Sequence, residues 1–478
     1  MKSNSNEVVF KEFIENLKKD SDVIISDNYD LDFTIIFQEQ ICDITVFNQD
    51  LLPELRRNRD KDITEVLTGI ARKIDLDSKD LYQILFNGLM IYYDKVKKEF
   101  YLLDISKNLR RQTGDSNVEA NTILGSRDGF TENYKDNIAL LRGRLKNSNF
   151  LIEEHMIGRR SKTWVGLLYI EDIHNIEMKN ELSEKIKEID IDALLSINDV
   201  IPFLSKRSIL PIANYIGTPD IAIAHLLDGE FLLLIDRIPI VLALPADISS
   251  LTLESIDLIE NKPIYFLHRI LILLCFILST VFPGIYLSLC TYQIDLLSLP
   301  LLSTLVLTEK GAPFPIFIEI AFVLFLFELY HLVGYRSSEK NMSSTIVLIG
   351  GLIIGQNLID SGLVGVLTIT VVALCFLAGF VCSNNIDFIF GISILRLFFL
   401  IAGLFFGIYG ITLLVVGLSV YFSKQSLFSH NVLYPFIPFD WKGVKNFFIP
   451  RSSKSKVYRN TKIGLTDMTM KEDFLSKK

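Results

Sequence analysis

The hydrophobic pattern of the chain changes once, near residue 262. Before that point charged and apolar residues alternate as in a globular protein, and from residue 263 to about residue 423 nearly every residue is apolar. A helix that crosses a bilayer needs about 20 apolar residues. The pattern therefore predicts a soluble domain fused to an all-α, multi-pass membrane domain over residues 263–423, followed by a polar tail over residues 424–478.

The soluble half is predicted to hold two α/β subdomains, over residues 1–115 and 116–262. Period-2 alternation with β-branched residues favours strands within residues 28–46, and the run GLMIYYDKVKKEFYLLDI favours two strands around a charged turn. Residues 51–74 have helical spacing. The polar, irregular run over residues 110–126 is typical of a connection between the two subdomains.

The second subdomain opens with a predicted amphipathic helix, on which Ile138, Leu141 and Leu145 share one face. Thr131 is its predicted N-cap. Further on, TWVGLLYI predicts a strand and MKNELSEKIKEI predicts a helix. The run LLDGEFLLLIDRIPIVLALPA predicts a buried hairpin, whose strands are joined at Asp236 and Arg237.

In the apolar half, four segments are long enough to span a membrane: residues 264–288, 344–360, 363–381 and 394–422. A fifth apolar segment, residues 311–335, contains two glutamates. The uncleaved N-terminal half and the basic tail are both expected in the cytoplasm, so the number of spans should be even. The sequence favours four full spans and a non-spanning or re-entrant fifth segment, unless the last segment turns back at Gly407 or Gly410.

The two glutamates of the fifth segment are Glu319 and Glu328. Nine residues correspond to two and a half helical turns, so the two side chains would point to nearly opposite faces of one straight helix. A charge at bilayer depth costs about 2.5 to 3.5 kcal/mol unless it finds water or a partner. We expect these residues to make a functional contact within the membrane, either with another subunit or along an ion path, the alternative being a solvated interfacial face.

Polar residues also enter the run IVLIGGLIIGQNLIDSGLV, which carries Gln356, Asn357 and Asp360. Polar side chains in an apolar helix suit a pore or a hydrated interface, since they are costly against lipid. These three residues are the candidate pore lining. The alternative for Asp360 is a residue at the membrane boundary before a turn. Arg396, in the last apolar segment, is expected to extend its side chain to the membrane surface, the alternative being a gating charge.

The charge distribution and the cysteine content limit which partners and metals the chain is expected to bind. Residues 1–262 hold 32 Lys+Arg against 45 Asp+Glu, a net of −13, and residues 263–478 hold 16 against 11, a net of +5, which sum to −8. An acidic soluble half argues against nucleic-acid binding. The 5 cysteines form no C-x-x-C pair, so neither disulfides nor a zinc site are expected.

Catalytic motifs do not support an enzyme. The sequence has no G-x-S-x-G, H-E-x-x-H, P-loop or G-x-G-x-x-G pattern. His155, His174 and His225 are isolated, and an isolated histidine is more often structural than catalytic. We therefore expect no enzymatic activity, no catalytic residues, no metal and no cofactor.

Seven stretches in order between about residues 126 and 446 resemble one protein family, the A subunits of GerA-type spore germination receptors. The stretches are SRDGFTENYKDNIALLRGRLKN, GRRSKTWVGLLYIEDI, PDIAIAHLLDGEFLLLIDRIPIVLALPA, FPGIYLSLCTYQIDLLSLPLL, GAPFPIFIEIAFVLFLFELYHLVG, IVLIGGLIIGQNLIDSGLV and LFSHNVLYPFIPFDWKGVKN. The chain departs from the family at the loop RSSEKNMSS, where relatives carry a basic Arg-Pro-x-Gly-Gln turn, and at Asp236-Arg237, where relatives carry Asp-Gly.

The resemblance implies a subunit of a nutrient-sensing complex in the spore inner membrane, with two α/β subdomains in the cytoplasm. The implied partners are a permease-like B subunit, a lipoprotein C subunit, membrane lipid and further copies of the chain. The A subunit would form an oligomeric ion channel that opens on germinant sensing and releases monovalent cations. The alternative is a transporter subunit, or a membrane scaffold that organises its partners without conducting ions.

Overall fold

The structure is a computed structural model of the chain. It describes residues 10, 13–14, 17, 20, 22–28, 32–38, 40–58, 63–67, 71–74, 85, 89–105, 128–204, 208–252, 262–309, 313–336, 356, 359–383, 385–424, 426–427, 430–437 and 439–449.

The first subdomain is a five-stranded antiparallel sheet with helical segments after its second strand. Its elements are β1 (Val23–Asn28), β2 (Phe33–Gln38), α1 (Ile44–Val46), a π turn (Phe47–Leu51), α2 (Leu52–Arg57), α3 (Ile63–Val66), β3 (Ala71–Ile74), β4 (Met90–Asp94) and β5 (Glu99–Leu103). The spatial order of the strands is β1-β2-β4-β5-β3. The side chains of β2 alternate between two apolar clusters. Phe33, Ile35 and Phe37 belong to one cluster, and Ile36 belongs to the other.

The second subdomain is also a five-stranded antiparallel sheet. Its elements are α4 (Tyr134–Arg144), β6 (Phe150–Ile157), β7 (Thr163–Ile170), α5 (Ile176–Lys187), a 3₁₀ turn (Ile197–Asp199), α6 (Ile201–Leu204), β8 (Asn214–Ile216), α7 (Pro219–Leu227), β9 (Phe231–Ile235), β10 (Val241–Leu244) and α8 (Ile248–Leu251). The strand order, β6-β7-β9-β10-β8, repeats that of the first sheet position by position. The α/β half is therefore a tandem repeat of one topology, which the sequence did not indicate.

Most of the local predictions for this half are confirmed. The two hairpins, β4–β5 and β9–β10, pair as expected, and α4 and α5 form. Three details are wrong: residues 44–46 are helical, residues 71–74 form a strand, and the N-cap of α4 is Asn133, whose side chain accepts hydrogen bonds from the backbone of residues 135 and 136. Thr131 instead donates to the Asn137 side chain.

The two subdomains are joined by a buried ion-pair cluster. Arg142 of α4 is fully buried and its guanidinium donates to Asp20 and, at 3.1 Å, to Asp22, both of which precede β1. It also donates to the carbonyl oxygen of Phe150 at 2.6 Å. Two carboxylates share one guanidinium here, so the cluster has one negative charge in excess when both are ionised.

The apolar half is helical. Its elements are α9 (Lys262–Thr280), α10 (Phe282–Tyr292), a 3₁₀ turn (Ile294–Leu296), α11 (Leu299–Glu309), α12 (Ile316–Arg336), α13 (Val366–Cys382) and α14 (Ile386–Lys424), followed by β11 (Ser426–Leu427), β12 (His430–Asn431) and α15 (Trp441–Phe447). Among the described residues, three helices could cross a membrane by length and composition: Pro263–Thr280, Ile316–Val333 and Ile386–Lys424. The helix Val366–Cys382 is apolar but shorter. Most of the expected span over residues 344–360 lies outside the described residues.

The first expected span, residues 264–288, is not one continuous helix. It breaks at Val281, between α9 and α10, and Pro283 is the second residue of the new helix. Proline has no N–H and its ring clashes with the carbonyl four residues earlier, so a helix cannot run through it undisturbed. Ile272 of α9 contacts Cys382 of α13, and Tyr292 of α10 donates to the carbonyl oxygen of Leu404 on α14 at 2.6 Å.

The last expected span, residues 394–422, is also not one straight helix. Within α14, Gly407 has φ +58° and ψ −146°, and a Cβ added at Gly410 would lie 2.5 Å from the carbonyl oxygen of Ala402. In a straight helix, residues eight positions apart are about 12 Å apart along the axis. The two arms, residues 386–406 and 408–424, therefore fold back on each other. Both outer ends return to the α/β half, where Phe388 and Phe422 join the core of the second subdomain.

We expect Gly407→Ala to destabilise this hairpin by about 1 to 2 kcal/mol, because the conformation is essentially restricted to glycine. The added Cβ would also lie 3.3 Å from the Tyr292 ring. Gly417→Ala is the matched control, since a Cβ there has nothing within 4 Å. Thermal unfolding of the two variants in detergent measures the difference, and equal midpoints would contradict the expectation.

Candidate functional site in the apolar helices

Two ionisable residues of α12, Glu328 and His331, lie close to Arg396 on the first arm of α14. The Arg396 side chain is only 3% exposed, and its guanidinium lies 5.8 Å from the centre of the Phe376 ring on α13. Nε donates to the carbonyl oxygen of Ser279 and Nη2 to the Ser279 hydroxyl, both at 2.9 Å. The expectation that this side chain extends to the membrane surface is therefore wrong.

The break after α9 explains why Ser279 can accept. The carbonyl oxygen of Ser279 is four residues before Pro283, so the N–H that would bond it in a continuous helix does not exist. Arg396 supplies the missing donor. A Cβ at Gly379 would lie 3.0 Å from the Ser279 hydroxyl and 3.4 Å from Nη2 of Arg396, so the glycine leaves the room that the guanidinium occupies.

Glu328 of α12 completes this group of residues, which we call the Arg396 cluster. One of its carboxylate oxygens accepts a hydrogen bond from Ser393 and lies 3.7 Å from Nη1 of Arg396. His331 lies 3.7 Å from the other oxygen and packs edge-on against the Phe380 ring. The cluster thus ties α9, α12 and α14 together through polar contacts inside an apolar bundle.

Glu319 has a different partner. It is 2% exposed, and its carboxylate accepts a hydrogen bond of 3.1 Å from the backbone N–H of Gly365. Gly365 is the N-cap position of α13 and has no side chain with which to cap the helix. A carboxylate at this position satisfies a free N–H and complements the positive end of the helix dipole. The two glutamates of the fifth segment therefore both find partners within the chain, and contacts with other subunits stay a prediction.

Removing this cap should destabilise the helices. We expect Glu319→Leu to lower the free energy of unfolding by about 1 to 2 kcal/mol, because a buried N–H loses its acceptor. Glu319→Gln keeps an acceptor oxygen and should lose less. The measurement is the unfolding midpoint of both variants in detergent; a Leu variant as stable as the Gln variant would show that the cap contributes nothing.

The candidate pore residues lie elsewhere. Gln356 and Asp360 are exposed, and Nε2 of Gln356 donates to an Asp360 oxygen at 3.0 Å. Asn357 falls outside the described residues. Asp360 precedes the turn at Gly362, which has φ +67°. The structure does not bring these residues to the Arg396 cluster.

Sequence reasoning missed Ser279 and Ser393. The available signals were the proline four residues after Ser279, which frees its carbonyl, and the arginine in an apolar run, which requires acceptors. Among the described residues, all 5 cysteines are free and buried, and no group of three His, Cys, Asp or Glu side chains could hold a metal ion.

These features define a membrane protein with a large α/β domain outside its apolar helices. Comparison with known proteins gives the family. The chain belongs to the Bacillus/Clostridium GerA spore germination protein family, whose model matches residues 8–462. The resemblance drawn from the seven stretches is thereby confirmed.

Individual relatives match over most of their length. Spore germination protein XA of Bacillus anthracis is 31% identical over 419 residues, 84% of this chain and 84% of that protein. Spore germination protein GerQA of Bacillus cereus is 28% identical over 449 residues, 90% of this chain and 88% of that protein. A solved structure, the N-terminal domain of the A subunit of the Bacillus megaterium spore germinant receptor GerK3, is 23% identical with a TM-score of 0.37, covering 50% of this chain and 93% of that one.

Proposed function

We propose that this chain is the A subunit of a nutrient-sensing germinant receptor of the spore inner membrane, and that several copies form an ion channel that opens on germinant sensing. Permease-like B and lipoprotein C subunits are its proposed partners. Release of monovalent cations through the channel would then trigger germination.

The observation that carries the channel proposal is the exposed polar pair Gln356 and Asp360. Elsewhere in the apolar half, Arg396 and Glu319 are buried against partners within the chain. A polar pair left on the outer surface of a single chain is what a lumen formed between several chains requires, because lipid contact would be costly. Asn357 belongs to the same proposed lining by its sequence position.

The proposed topology places both ends of the helical half on the cytoplasmic side. The arms of α14 are about 31 Å and 25 Å long at 1.5 Å per residue, comparable with a hydrocarbon core of about 30 Å. If α14 crosses the membrane twice rather than once, the four expected spans become five. A full crossing by α12 then makes the number of spans even again. We therefore propose that α12 spans the membrane, in place of the non-spanning fifth segment that the sequence favoured. Its contacts with the start of α13 through Glu319 and with α14 through Glu328 support this proposal.

The test is ion flux through liposomes that hold the assembled receptor, with and without candidate nutrients. We expect nutrient-dependent potassium or sodium leak, and a changed leak in Gln356→Ala and Asp360→Ala. Thr370→Ala is the matched control, because Thr370 is exposed on α13 and its hydroxyl donates to the Val366 carbonyl oxygen of its own helix.

Each result has a separate meaning. Leak that is unaffected by the two variants keeps the channel but places its lumen elsewhere. An assembled complex that shows no leak with any nutrient would favour the transporter or scaffold alternative.

A further inference from the structure

The short helix α8 lies between the second subdomain and the apolar helices. The last carbonyl groups of a helix have no partner within it. Here three consecutive ones receive side-chain donors from three different elements. Asn214 of β8 donates to Ser250 at 2.9 Å, and Ser383, after α13, donates to Leu251 at 2.6 Å.

The third donor is Arg269 of α9. Its Nη1 lies 2.7 Å from the Thr252 hydroxyl and 3.4 Å from the Thr252 carbonyl oxygen. The side chain is 0% exposed and its Nε donates to the Tyr265 hydroxyl at 3.0 Å. It lies 4.9 Å from the centre of the Phe447 ring on α15, and Tyr265 donates to the Phe447 carbonyl oxygen at 3.3 Å.

Asn385 extends the contact to the start of α14. Its side-chain oxygen accepts from the backbone of Asp387 and Phe388, at 3.0 and 3.3 Å, and its Nδ2 lies 3.3 Å from the side-chain oxygen of Asn214. Asn214 therefore contacts both α8 and the residue that caps α14. At the other end of α8, the Ile248 N–H donates to the Val432 carbonyl oxygen at 2.7 Å.

We propose that α8 is the coupling element through which a change in the second subdomain reaches the apolar helices, with Arg269, Ser383 and Asn214 as its positioning residues. The role in gating rests on the proposed function. These donors and acceptors are buried, and a buried polar group that loses its partner pays its full desolvation cost. A displacement of α8 must therefore either break several contacts or move α9 and the start of α14 with it.

The experiment uses the full chain in lipid nanodiscs and two mild variants. Thr252→Val removes the hydroxyl that faces Arg269 at nearly constant shape, and Ser383→Ala removes the donor to Leu251. Hydrogen exchange is followed at residues 385–391. We expect exchange there to accelerate about fivefold or more in Thr252→Val, the low end of coupling between protein sites. Thr370→Val is the control, and exchange at residues 385–391 that is unchanged by Thr252→Val overturns the proposal.

The second readout is germinant-dependent flux by the assembled receptor. In both variants we expect the germinant concentration for half-maximal flux to rise about fivefold or more at an equal amount of complex. A purely structural role would lower the amount of complex without moving that concentration, and this outcome would also overturn the coupling role. If the wild-type complex does not conduct at all, the channel proposal fails, while the exchange result still decides whether α8 couples the two halves.

Discussion

Arg396→Met should destabilise the helical half by about 3 kcal/mol or more, because it leaves Glu328 without its cation in a largely apolar bundle. The substitution also removes both donors to Ser279 and leaves its carbonyl oxygen, freed by Pro283, without the bond that now satisfies it. Methionine has a similar length and fills part of the space, so the loss reflects polar contacts more than volume.

The measurement uses the chain's own cysteines. Cys375 is fully buried in α13, next to the Arg396 cluster, so a thiol-reactive dye labels it only when the helices separate. Labelling of Cys375 during heating in detergent, resolved from that of the other four buried cysteines by peptide mass spectrometry, should show a clearly lower midpoint for Arg396→Met. Leu397→Met is the matched control, since Leu397 is exposed and adjacent.

A double-mutant cycle separates the ion pair from the rest of the cluster. Glu328→Gln combined with Arg396→Met removes both charges, so the double variant should recover part of the lost stability. Two results would show that the ion pair between Arg396 and Glu328 does not contribute to stability. One is an Arg396→Met midpoint equal to that of the control, and the other is a double variant whose loss of stability equals the sum of the two single losses.

The α/β half should lose about 2 kcal/mol of stability between pH 5.5 and pH 8 through Asp22 alone. The pKa of Asp22 is raised from 3.8 to about 7, chiefly by burial and also by the carboxylates of Asp20 and Glu154, against the opposing effect of the Arg142 guanidinium. The folded state therefore binds more protons than the unfolded state between these two pKa values. Stability falls as pH rises through this window and changes little above it.

This loss can be measured by urea unfolding of the full chain in detergent, with Trp441→Phe so that Trp164 of the second subdomain is the only tryptophan. Asp22→Asn should flatten the pH dependence between pH 5.5 and pH 8. Asp27→Asn is the control, because Asp27 is an exposed partner of Lys95 and a hydrogen bond from that lysine lowers its pKa. If the stability of the wild type does not depend on pH in this window, or if Asp22→Asn does not change that dependence, the raised pKa of Asp22 is not the cause.

Local pattern was enough to predict much of the fold. The division near residue 262 follows from apolar content, and the hairpin at Asp236 and Arg237 follows from a turn between two short apolar runs. Helices α4 and α5 follow from their apolar spacing. The hairpin and the two helices depend on interactions between residues close in sequence. The resemblance to the family was drawn from stretches that include these elements.

The candidate sites were only partly predictable. The sequence showed that Glu319, Glu328 and Arg396 require partners, since charges in apolar helices are costly. The partner of Glu319 is Gly365, 46 residues further along the chain, and the partner of Glu328 is Ser393, 65 residues further along. Ser279 lies 117 residues from Arg396.

Tertiary structure alone decided which groups meet, how α14 folds at Gly407 and that the two sheets share one strand order. The sequence left open whether the last apolar segment turns back at a glycine, because glycine is common in apolar helices and adopts either sign of φ. Strand order depends on pairing between segments far apart in the chain, which no local period encodes. The sequence by itself therefore determined the elements and the need for buried partners, whereas packing across long sequence separations determined which partners they are.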